Sequence, residues 1–66
     1  MDIEEIKSEV ARIDAMKDDD ESAHSAEDNL YEKFVIYVSR NGPIELAEMA
    51  REILKTGDIK FCRWCA

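Results

Sequence analysis

The chain has 66 residues, a formal charge of −7, and a composition 45% hydrophobic and 38% charged with only two Gly and one Pro. Such a length holds one domain at most, and the apolar fraction is too high for a disordered chain. So few turn-forming residues exclude a many-stranded β fold and favour a few long helices, while the acidity excludes direct nucleic-acid binding, which needs Lys and Arg to displace counterions from phosphate.

The acidity is concentrated at one end. Residues 1–28 hold eleven Asp/Glu against three Lys/Arg, whereas residues 29–66 hold five against six. The opening Met1-Asp2-Ile3-Glu4-Glu5 lacks the apolar centre of a signal peptide, and no apolar run approaches a membrane span. A cytoplasmic location with no membrane partner is the expectation, and Cys62 and Cys65 are then expected to be reduced.

Residues 2–17 read as the first helix, because Ile3, Ile6, Val10, Ile13 and Met16 recur at spacings of three and four. The stripe is as narrow as a coiled-coil seam, which suits packing on the same chain or on another copy of it, as a homodimer. Lys17-Asp18-Asp19-Asp20-Glu21 then breaks the pattern, since adjacent carboxylates repel one another and Asp and Ser are good N-caps for the next helix. The second helix is expected over about 22–40, with Ala23, Ala26, Leu30, Phe34, Tyr37 and Val38 on one face and Tyr31, Val35 and Ile36 widening it. Phe34-Val35-Ile36-Tyr37-Val38 is also a β-favouring run, but the segment before it continues a helical stripe without a turn, so helix is preferred.

Asn41-Gly42-Pro43 is the clearest boundary, with Gly42 able to close one helix in the left-handed conformation and Pro43 able to open the next. Ile44, Leu46, Ala47, Met49, Ala50, Ile53 and Leu54 form the apolar face of a third helix over about 43–55. After Thr56-Gly57, residues 58–65 read as a short fourth element, with Ile59, Phe61 and Trp64 folding back as a lid. The fold expected is therefore an all-α bundle of three helices with a short C-terminal fourth helix or turn.

Two groups of residues invite a chemical reading. Cys62-Arg63-Trp64-Cys65 is a C-x-x-C, but redox pairs sit at a helix N-terminus beside a βαβ core, and structural zinc wants four ligands where this chain offers one pair and one His24. Packing is the plainer role for both cysteines. Glu21, His24 and Asp28 fall on one side of a helix, and Glu-x-x-His is half of a di-iron motif that requires a second copy this chain lacks. A structural reading covers most of the cluster: Ser22 or Ser25 caps the second helix, with Asp28 completing a capping-box-like pair and Glu27 and Asp28 at the positive helix end. Tyr31, Phe34, Tyr37, Phe61 and Trp64 are best read as core, since a small bundle needs the area that aromatics bury; at an exposed end such residues mark a partner-binding patch instead, and burial decides between the two.

The block Asp19-Asp20-Glu21-Ser22-Ala23-His24-Ser25-Ala26-Glu27-Asp28-Asn29-Leu30-Tyr31, with the ending Ile59-Lys60-Phe61-Cys62-Arg63-Trp64-Cys65, resembles a group of small bacterial and prophage proteins. Those share a D-D-E-x-A-H-S-x-E-D-x-L block before a helix and an I-x-F-x-R-W-C ending. The resemblance covers about half of the chain and implies a stand-alone unit whose last residues belong to the fold, with His24, Ser25, Glu27, Asp28, Arg63 and Trp64 as the interaction residues to test first. It implies no substrate, cofactor or activity.

The function expected is a non-enzymatic protein-interaction module of phage or mobile-element type, binding through the His24–Asp28 edge or an apolar stripe. Two alternatives stand beside it: a metal protein using His24 with nearby carboxylates or Cys62 with Cys65, and an acidic mimic of nucleic acid that occupies a DNA-handling protein.

Overall fold

Asp2 sets the start of α1 (Ile3–Ala15): its backbone is extended and its carboxylate accepts the Glu5 N–H at 2.9 Å. In the computed structural model, which describes residues 1–61, the acidic break after Met16 ends at a second cap of the same kind. Asp19 accepts the Ser22 N–H at 3.2 Å and the Ser22 hydroxyl at 2.9 Å, and α2 (Asp20–Asn41) begins there. The helix therefore starts two residues before Ser22. Ser25 lies inside it rather than at its cap, and Glu27 and Asp28 are two turns in, beyond reach of the positive helix end.

The β-favouring run Phe34–Val38 continues α2 without a break, as the uninterrupted stripe before it requires. The helix ends at Gly42 for a reason other than a left-handed glycine. No glycine in the described chain has positive φ, and Gly42 is extended at φ −78° and ψ 169°, because the following Pro43 disfavours the helical region for the residue before it. The Gly42 N–H still reaches the Val38 carbonyl at 2.9 Å. What demands glycine here is space: a Cβ would meet that carbonyl oxygen at 2.7 Å and Val38 Cγ1 at 3.0 Å.

Pro43 starts α3 (Ile44–Leu54), which tightens into a short 3₁₀ helix over Lys55–Asp58. The described part of the expected 58–65 element is not helical beyond Asp58: Ile59 is extended and no helix runs through Phe61. Residues 62–65 of that expected element lie outside the described residues, and so do Trp64 and its expected role in a lid.

The architecture is all-α, three helices and a short fourth element, with no strand among the described residues. Short connections make neighbours antiparallel. Accordingly Arg12 and Met16 face Ser22 and Ala26, while Ile6 and Val10 face Tyr31 and Phe34. α2 is the middle helix and touches both others, but α1 and α3 do not touch each other. The bundle is therefore open and lies in one plane, measuring 39 × 33 × 10 Å. Two stacked helix layers would need about 14 Å, from an axis spacing of about 9 Å plus the backbone width.

A single layer can enclose little. The buried residues are Ala26, Ser39, Ala47 and Ala50, small side chains at the helix seams, and no large side chain is fully buried among the described residues. Small residues let α3 approach α2 closely, and one polar contact fastens the pair. Ser39 turns its hydroxyl back to the Ile36 carbonyl at 2.6 Å, and Arg51 of α3 donates to the Ser39 carbonyl at 2.9 Å. That carbonyl is one of the last four of α2, which no intrahelical N–H reaches, so the guanidinium both satisfies it and opposes the negative helix end. α1 has no such tie and no buried residue.

Candidate functional site: the open apolar face

The helical layer has two unlike faces. On one, Ile6 and Val10 of α1 and Leu30, Tyr31, Phe34 and Val35 of α2 line a groove of about 460 Å³. Beside it, Phe34, Val35 and Val38 of α2 and Leu46, Met49, Ala50 and Ile53 of α3 line a second, of about 250 Å³. The two share Phe34 and Val35, so they form one continuous surface running across all three helices, with Phe34 at its centre. The positions follow from helical spacing: residues 31, 34, 35 and 38 lie one turn apart along α2.

These side chains are open to solvent. Val10 is 55% exposed, Tyr31 62%, Phe34 48%, Met49 61% and Ile53 57%. The aromatics of α2 are therefore not core within the single chain, which corrects the reading of them as core. The physical reason is the missing second layer: periodicity brought these residues to one side, but no element of the described chain covers that side.

The opposite crevices are polar. Between the end of α1 and the start of α2, Arg12, Met16, Glu21, Ser22, Ser25, Ala26 and Asn29 line a wide, shallow hollow. Ser25 points here, away from the apolar face. His24 and Asp28 pair one turn apart, Nε2 to Oδ2 at 3.6 Å, both partly open to solvent. Glu27 accepts a long hydrogen bond from the Tyr31 hydroxyl at 3.4 Å, which puts it at the rim of the apolar face. The four expected edge residues thus occupy three settings rather than one site. Arg63, Trp64, Cys62 and Cys65 lie outside the described residues.

Among the described residues no three His, Cys, Asp or Glu side chains converge as metal ligands; His24 meets one carboxylate. No described helix is long and apolar enough to cross a membrane. The remaining ion pairs, Glu4–Lys7, Glu9–Arg12, Asp14–Lys17 and Glu52–Lys55, are exposed and each links residues three apart within or at the end of a helix. Such pairs contribute little to stability.

Asp19 is the acid with a specific structural duty. The Ser22 N–H, then the Ser22 hydroxyl and the Glu21 N–H, hold its carboxyl below the usual carboxylate range. A depressed folded-state value stabilises the fold above the unfolded-state value, and that contribution is lost as pH falls through the folded one. Asp19→Asn keeps a good N-cap while removing the titration. Circular dichroism at 222 nm between pH 6 and 2 is expected to show a shallower loss of helix below about pH 4 for this variant than for the parent; identical acid transitions would show that the cap carries no pH dependence.

Compared with known protein families, with curated proteins and with solved structures, the chain matches none.

Proposed function

We propose that the chain is a non-enzymatic protein-interaction module that works through the apolar face centred on Phe34. The observation that carries this reading is the exposure of that face. Monomeric soluble proteins seldom leave a large contiguous apolar patch open, and patches rimmed by polar residues mark association sites. Phe34 is 48% and Met49 61% exposed, yet both sit in grooves whose walls are almost entirely apolar. Aromatic and Met side chains are also the types enriched where proteins bind proteins. The polar rim, with Glu27 beside Tyr31, supplies direction rather than affinity.

Site-specific photocrosslinking in cells tests the face without naming its partner. A benzophenone amino acid replacing Met49 is expected to trap a protein in high yield, and the same group replacing Ser25 on the opposite face is expected to trap little. Equal trapping from both positions, or none from Met49, would contradict the reading.

A further inference from the structure

We infer that the occupant of the apolar face is a second copy of this chain, packed face to face across a two-fold axis near Phe34. The inference rests on the reading of that face as an association surface and names its partner. Three observations carry it. The first is depth: the helices span only 10 Å in their thinnest direction, one layer, whereas a stable domain needs two layers enclosing a core. A second identical layer supplies the missing half. The second is area. Val10, Tyr31, Phe34, Leu46, Met49 and Ile53, all lining the face, stand 48–62% exposed. A standard interface takes about 800 Å² from each partner, and a layer measuring 39 × 33 Å has room for it. The third is symmetry. Phe34 and Val35 belong to both grooves and lie on the middle helix, with α1 and α3 to either side. An isologous interface needs one patch that serves both subunits, and a surface centred on the middle element meets that need with α2 packed against α2 of the other copy.

The charge pattern is compatible with such pairing. The acidic break at Asp18–Glu21 lies at one end of α2, off the apolar face, so a two-fold axis that crosses α2 near Phe34, making the two copies of α2 antiparallel, carries the two breaks to opposite ends of the dimer. Like charges are then kept apart.

Sedimentation equilibrium on the full chain from 1 to 100 µM tests the proposal. The expected mass is about 15 kDa, twice the 7.6 kDa of one chain. Phe34→Glu and, independently, Met49→Lys are expected to return the mass to that of one chain while circular dichroism still shows helix, since Phe34 is 48% and Met49 61% exposed in the single chain; folded variants that keep the doubled mass would overturn the interface. A parent chain that is monomeric at 100 µM and fully helical overturns the second-copy inference. If in that case the benzophenone at Met49 still traps a different protein, the association reading stands and only the partner is wrong; if it traps nothing, both fail.

Discussion

Phe34→Glu is expected to weaken self-association roughly 1,000-fold, because a carboxylate placed at the centre of an apolar interface loses its hydration without gaining a partner. Each copy contributes one such charge, and the two would face each other across the axis. An uncompensated buried charge costs several kcal/mol, so about 4 kcal/mol across the pair is a conservative figure, and each 1.4 kcal/mol is tenfold in the dissociation constant. The same substitution is mild in a lone chain. Phe34 is 48% exposed there, so about 1 kcal/mol of apolar burial is lost, partly offset by the better helix propensity of Glu. The two cases separate cleanly in a dilution series. The parent's melting temperature should fall as the chain is diluted, because dimerisation stabilises by mass action, and that of Phe34→Glu should not change. A parent melting temperature independent of concentration would contradict the account.

The second large effect is expected at the α2–α3 seam. Ala50 is 5% exposed and Ala47 6%, and α3 approaches α2 closely because those side chains end at a methyl. Ala47→Leu inserts three further carbons at the seam, at a buried position that lines neither groove of the apolar face, which costs about 2 kcal/mol in overpacking. It would also push Arg51 away from the Ser39 carbonyl it caps, 2.9 Å distant in the parent. A chain of this size has few kcal/mol to lose. Ala11→Leu, on the exposed side of α1, is the control and should change stability by less than about 0.5 kcal/mol. Chemical denaturation of the two variants measures the contrast; equal midpoints would show that the seam is looser than its small residues imply.

Much of the backbone is legible in the residues alone. The spacing of Ile3, Ile6, Val10, Ile13 and Met16 marks α1, the carboxylate run marks the break, and Asn41-Gly42-Pro43 marks the turn into α3. Helix rather than strand at 34–38 follows from the uninterrupted pattern upstream. What the pattern cannot convey is coverage. Periodicity gathers Tyr31, Phe34 and Val38 on one side of α2, but whether that side meets another element of the same chain depends on how the three helices are arranged, in a triangle or in a plane. One signal is present. Ala26, Ala47 and Ala50 stand among larger apolar neighbours, and alanines at such positions mark the seam where helices touch, leaving the larger residues beside it to face elsewhere.

The polar cluster misleads for a related reason. Asp19, Ser22 and Ser25 are all competent caps, and only the backbone shows that Asp19 takes the role and draws the helix start forward. Once it does, His24 and Asp28 become an ordinary one-turn pair on a helix flank and Glu27 becomes a rim residue of the apolar face. Gly42 likewise is needed, but for its closeness to the Val38 carbonyl and not for a left-handed turn.

Isotope-filtered nuclear Overhauser spectroscopy, on an equal mixture of labelled and unlabelled chains, reads the contact itself. Cross-peaks are expected between the Phe34 ring of one copy and the methyl groups of Val38 and Met49 of the other. A spectrum with no intermolecular cross-peaks to the Phe34 ring at concentrations where the chain is fully helical would contradict the claim that a second layer of the same protein completes the core.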